Sequence, residues 1–199
     1  MAACATIAPT PTLYFAYGSN LWLAQMAQRC PTSRYVGVAR LRGRRWRWLI
    51  NERGYANVVE EAASSGPSPP PDDTVPASND PGPSAADGYA NLVYGMLYAL
   101  QPADEARLDV SEGVPEAYGK EWLEVDFWSA GQDGVVDVGR SVPERRTVLV
   151  YVDRKRVGES EPKEEYVHRM NEAVRDAVRV GVPAMWVREV VRRFIPEEE

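Results

Sequence analysis

An α+β fold with a mixed sheet is predicted by three features of this sequence. Short apolar and aromatic runs of strand length recur along most of the chain. One early run passes through a glycine turn directly into a helical pattern, and the C-terminal stretch has helical periodicity throughout.

The first run, 13–17 (Leu-Tyr-Phe-Ala-Tyr), reads as a buried strand, and Gly18-Ser19-Asn20 reads as the tight turn that ends it. Asn20 or Ser19 is expected to cap a helix propagated by 21–28 and stopped by Pro31. Segments 35–41 and 45–50 look like a hairpin around Gly43, with Trp46, Trp48 and Ile50 on one face and Arg45 and Arg47 on the other. A further strand is expected over 56–60.

The texture then changes. Residues 64–87 are Pro, Ser, Gly, Asp and Asn with almost no large apolar side chain, a composition that cannot bury enough surface to offset the entropy of ordering. We expect a disordered insertion at 64–88 within one domain spanning 13–196, after a flexible tail at 1–12. Structure resumes with a strand at 92–100 and a helix from Pro102 through Leu108, stopped by Gly113 and Pro115. Alternating residues at 122–128 and a run at 147–152 complete roughly six strands, the usual complement of one sheet or small barrel.

From Lys163, Val167, Met170, Val174, Ala177 and Val178 recur at helical spacing, with Gly181 as the stop. Pro183 opens a second helix that turns Trp186, Val187, Val190, Val191 and Phe194 inward.

Composition narrows the function. The chain has 199 residues, 44% of them hydrophobic, enough for a sizeable core. A formal charge of -6 disfavours nucleic acid and anionic membrane as partners and favours a small neutral or zwitterionic ligand. Arg40, Arg42, Arg44, Arg45 and Arg47 interleave with Trp46 and Trp48 as on a nucleic-acid surface, but an exposed hairpin with one packed face accounts for them as well. Two cysteines without a CxxC or a His/Cys cluster indicate no disulfide framework and no zinc or other metal site. With no leader or membrane-spanning run, a cytoplasmic location is expected. The oligomeric state stays open, a homodimer included.

Two segments carry chemistry. In the loop, Gly18 permits close backbone approach, and the amides of Ser19, Asn20 and Leu21 at a helix start suit a carboxylate or an oxyanion. A capped turn without a ligand is the alternative. In the second segment, Leu108 and Val110 are expected to pack on the core and leave Glu112 where the chain turns. Partial burial there would raise its pKa toward the range for proton transfer at neutral pH, whereas a frayed helix end would leave it solvated. Asp109 and Glu116 are rival acids that the Gly113 and Pro115 break keeps off a common helical face. His168, off the apolar stripe, is given no role.

Together, Leu13-Tyr-Phe-Ala-Tyr-Gly-Ser-Asn-Leu21, the Val38-Ala39-Arg40-Leu41 strand, and Leu108-Asp109 with Ser111-Glu112-Gly113-Val114 and Tyr118 resemble the gamma-glutamylcyclotransferase family, which includes the AIG2-like proteins. The resemblance extends to Tyr151, Tyr166 and the C-terminal helices. It implies a barrel-like sheet, Glu112 as catalytic acid/base, and Tyr17, Gly18, Ser19, Asn20 and Leu21 as the loop that cradles a gamma-glutamyl substrate. The implied reaction is attack of the substrate's α-amine on its own γ-carbonyl, releasing 5-oxoproline and a free amine without a cofactor. Tyr118 and Tyr151 could orient the substrate or Glu112, or be core or rim tyrosines with satisfied hydroxyls. A member that trims a natural-product or toxin intermediate, and a non-catalytic binding protein on the same fold, are the competing readings.

Overall fold

A computed structural model describes residues 10–43, 45–61 and 88–198. Of the expected tail 1–12, residues 1–9 lie outside the described residues and Thr12 already belongs to the first strand; the expected disordered insertion 64–88 lies outside them but for Gly88.

Five strands close a barrel in the order β1 (Thr12–Ala16), β5 (Tyr94–Leu100), β2 (Arg34–Leu41), β6 (Gly119–Ser129) and β7 (Glu144–Val152). Four of the pairings are antiparallel, and the parallel pairing Tyr14↔Leu149 between β1 and β7 closes the ring. The sheet is therefore mixed, as the sequence predicts. All seven residues of β5 are buried, which explains its unbroken apolar run: it lies between β1 and β2, with both edges paired.

The expected hairpin is not formed. Strand β2 is bonded on both edges, to β5 and β6, and so has no free edge for β3 (Trp46–Ile50). Instead β3 pairs with β4 (Ala56–Glu60) in a separate two-stranded sheet. Arg40 is accordingly not on a surface: it is 3% exposed and donates to Asp126, its register partner on β6, at 2.8 Å. Arg42 donates to the other carboxylate oxygen at 2.6 Å, so the buried acid is compensated by two cations.

Among the described residues four helices accompany the barrel: α1 (Leu23–Arg29), α2 (Pro102–Glu112), α3 (Glu164–Val180) and α4 (Ala184–Glu189). Helix α2 is a turn longer than its sequence signals suggest and ends at Gly113, whose φ of 66° suits a residue without Cβ. Leu108 is buried as expected, but Val110 is 82% exposed, because two positions along a helix face opposite ways. The final helix also differs: α4 stops at Val190, and Val191–Arg193 form a 3-10 turn. Among the described residues no helix is long and apolar enough to cross a membrane.

Candidate functional site

After β1 the chain enters the loop 17–21, where Ser19–Leu21 form a single 3-10 turn ahead of α1. Neither Ser19 nor Asn20 caps α1. The amide of Leu23 donates to Asp176 Oδ2 of α3 at 2.9 Å, so the cap comes from a distant helix. Gly18 is required by close approach: a Cβ there would lie 2.8 Å from the Tyr166 hydroxyl. That hydroxyl accepts the amides of Ser19 at 3.1 Å and Ala56 at 3.4 Å.

This revises the expected amide cradle. A buried backbone must satisfy its own polar groups. The Ser19 amide is spent on Tyr166, and the Leu21 amide bonds the Gly18 carbonyl at 2.9 Å. Leu21 is wholly buried and does not line the cavity. Tyr17, Gly18, Ser19 and Asn20 do line it.

Asn20, 4% exposed, occupies the centre of the site through four side-chain bonds. Its Oδ1 accepts from Gln25 Nε2 at 2.9 Å and Arg29 Nη1 at 3.0 Å. Its Nδ2 donates to the Tyr14 hydroxyl at 2.9 Å and to Glu112 Oε1 at 2.8 Å. A flipped amide would set Nδ2 against two donors and Oδ1 against a carboxylate, so only one orientation is tolerated.

Glu112 is thus delivered to the loop from 92 positions away in sequence. Its side chain is 16% exposed, with Arg29 Nη1 3.9 Å away. Burial pushes its pKa above the ordinary carboxylate value, while Arg29, the Asn20 bond, Arg169 and Arg53 hold it back. The rival acids are engaged elsewhere. Asp109 does share α2 with Glu112, but it accepts from the Tyr151 hydroxyl at 2.6 Å and pairs with Lys120 at 3.0 Å. The Glu116 side chain is 88% exposed.

Tyr118 and Tyr151 both line the cavity, and neither bonds Glu112. Tyr118 donates to the Ala56 carbonyl at 2.9 Å, and burial drives both phenols well above their ordinary range. Burial also raises Tyr166, but only to about 12, because the two backbone amides that it accepts favour its ionised form.

The cavity measures about 260 Å³. Sequence reasoning missed several of its walls: Arg29, Arg53, Tyr55 and Arg169. Arg169 offers in sequence only an i,i+4 spacing from Glu165, with which it pairs at 2.8 Å. Arg53 and Tyr55 had a usable signal in Asn51 and Gly54, the residues of a tight turn. Among the described residues no group of three or more His, Cys, Asp or Glu is placed to hold a metal ion.

No protein-family model matches the sequence, and no curated protein matches it. Solved structures do. A structure described as gamma-glutamyl cyclotransferase superposes with a TM-score of 0.60 at 18% identity, covering 94% of this chain and 89% of that one. An uncharacterized protein from Homo sapiens gives 0.60 at 19% identity, with coverages of 96% and 91%. YkqA from Bacillus subtilis gives 0.58 at 18%, covering 96% of this chain and 57% of its own. At these identities the likeness is one of fold: the chain has the architecture of a gamma-glutamyl cyclotransferase.

Proposed function

We propose that the protein cyclises a gamma-glutamyl compound to 5-oxoproline, releasing the amine or amino acid formerly held in the γ-amide. The observation that carries this reading is Glu112: a carboxylate of raised pKa, in a cavity, fixed by Asn20 of the glycine loop. The shared fold supports it.

The chemistry asks little of a protein. Nucleophile and electrophile sit on one molecule, so the first requirement is to fold the substrate into an attack geometry. Glu112 takes a proton from the α-ammonium, and the freed nitrogen attacks the γ-carbonyl carbon, closing a five-membered ring while the π pair moves to oxygen. Collapse of that tetrahedral species breaks the bond to the leaving nitrogen. Two protons pass in all, one at a time, from the attacking nitrogen to the leaving nitrogen, and Glu112 is regenerated. Its raised pKa brings the two halves of that shuttle closer to balance near neutral pH.

We assign the oxyanion to the Tyr166 hydroxyl. Its oxygen already accepts two backbone amides, which leaves its hydrogen to point into the cavity that it lines. A phenol polarised in this way, with its pKa held to about 12, donates a strong hydrogen bond to a developing negative charge. The loop amide of Ser19 therefore acts through the tyrosine.

The same reading puts the reaction in the cytoplasm. The test is 5-oxoproline release from gamma-glutamyl dipeptides, glutathione and a gamma-glutamylamine, with wild type beside Glu112→Gln. A loss of about 10² to 10⁴ in the variant is expected. Unchanged turnover would remove Glu112 from the mechanism, and no release from any substrate would favour a binding protein on this fold.

A further inference from the structure

The turn between β3 and β4 is held from within and from two sides. Asn51, fully buried, accepts the amides of Arg53 at 3.1 Å and Tyr55 at 3.4 Å on its Oδ1, and donates through Nδ2 to Asp153 Oδ2 at 3.1 Å. The Gly54 amide bonds the Asn51 carbonyl at 2.7 Å, and the Gly54 carbonyl accepts the amide of Lys163 at 3.2 Å. What this turn presents to the cavity is Arg53, set against the rings of Tyr55 and Tyr118 at 5.5 and 5.6 Å.

Arg53 differs from the other two arginines of the cavity. Arg29 donates to Asn20 and lies beside Glu112, and Arg169 forms a two-point pair with Glu165, both contacts at 3.0 Å. Arg53 Nη1 is buried and has no hydrogen-bond partner. Burying a guanidinium N–H without an acceptor is unfavourable, so a donor of this kind facing a cavity calls for an acceptor there, from a ligand or an ordered water. The fork geometry of arginine matches a carboxylate.

We propose that Arg53 receives the carboxylate of the leaving group, so that the site selects gamma-glutamyl compounds whose released amine is an amino acid or peptide. This rests on the cyclisation described above. When the α-ammonium meets Glu112, the α-carboxylate on the same carbon falls beside Arg29, the cation 3.9 Å from Glu112. The second carboxylate lies across the scissile amide and needs a separate cation, and Arg53 is the cavity arginine with an unmet donor.

Calorimetric titration of the full chain tests this, in a Glu112→Gln background so that the ligand is not consumed. The probes are γ-glutamyl-alanine, γ-glutamyl-alaninamide, which lacks the leaving-side carboxylate, and 4-aminobutanoyl-alanine, which lacks the α-carboxylate. Arg53→Met is expected to weaken the first and third by about 10- to 100-fold and to leave the alaninamide within about twofold. Arg53→Lys, which keeps the charge, recovers part of the loss, and thermal unfolding of each variant confirms the fold. Equal losses on all three probes, or none, overturn the proposal. Loss on the alaninamide with none on 4-aminobutanoyl-alanine moves Arg53 to the α-carboxylate and overturns the leaving-side assignment. Wild-type 5-oxoproline release is read in parallel. Arg53-dependent binding without release refutes the cyclisation alone, release with Arg53-independent binding refutes the receptor alone, and no binding of any probe refutes both.

Discussion

Replacing Asn20 by alanine removes the one side-chain hydrogen bond that Glu112 receives among the described residues, and the consequences follow from its geometry. The lost contact is a buried donor at 2.8 Å from a carboxylate, a class worth about 1.5–3 kcal/mol. Expressed as a rate, that is about 10- to 100-fold in 5-oxoproline release. The pH profile carries the sharper signature. An N–H donated to Glu112 favours the ionised carboxylate, so its removal lets burial raise the pKa further. The acid limb of the profile, where Glu112 ionises, is therefore expected to move to higher pH. Stability falls as well, because Arg29 and Gln25 lose an acceptor, on the order of 1–3 kcal/mol. The assay is turnover against pH at a temperature well below the variant's own Tm. A rate within about twofold of wild type with an unmoved acid limb would refute the role given to Asn20.

Two further outcomes follow from the same geometry. Because burial raises Glu112 above its ordinary value of 4.5, the protonated form favours the fold: that stability is present below 4.5 and lost as pH rises through the folded-state value. Glu112→Gln is then more stable than wild type at pH 7, with the advantage fading by about pH 4; urea midpoints at both pH values check it, and an advantage that grows in acid contradicts it. Gly18→Ala puts a Cβ 2.8 Å from the Tyr166 hydroxyl, so about 1–3 kcal/mol of stability and at least about tenfold in rate should go together. Wild-type activity in that variant would take the Tyr166 hydroxyl out of the oxyanion role.

The sequence shows clearly what depends on neighbours along the chain and poorly what depends on pairing at a distance. Strand β5 was legible because burial on both faces leaves an unbroken apolar run. The β2–β3 hairpin was misread because a turn at Gly43 and two strand-like runs look the same whether or not those runs pair; the second edge of β2 is occupied by β6, some 85 residues on. Arg40 looked exposed for the same reason, since its partner Asp126 is visible only once that register is known. At the site, the glycine loop and Glu112 were both legible, but the Ser19 amide was assigned to a ligand because Tyr166, 147 positions away, could not be seen approaching it. Arg53 is legible as a turn residue but not as a cavity residue, because its environment is made by Tyr118, on a different element.

Barrel closure makes these separate pieces one site. The parallel pairing Tyr14↔Leu149 sets the loop after β1 beside the end of β7, where the Tyr17 hydroxyl donates to the Tyr151 carbonyl at 2.5 Å. Tyr151 in turn donates its own hydroxyl to Asp109 on α2, and one helical turn later on α2 comes Glu112, which accepts from Asn20 in the starting loop. Loop, β7 and α2 thus form a closed circuit of buried or half-buried contacts, and no member can shift without breaking a bond at both ends. This explains why an exposed-looking helix end holds a largely buried carboxylate: α2 is tied to the barrel through Asp109, and Gly113 ends the helix right after Glu112. It also divides the labour among similar residues. Asp109, with Lys120 and Tyr151 satisfying it, fixes position, whereas Glu112, whose pKa burial raises despite Asn20 and Arg29, is the carboxylate to which the proposed mechanism gives the proton.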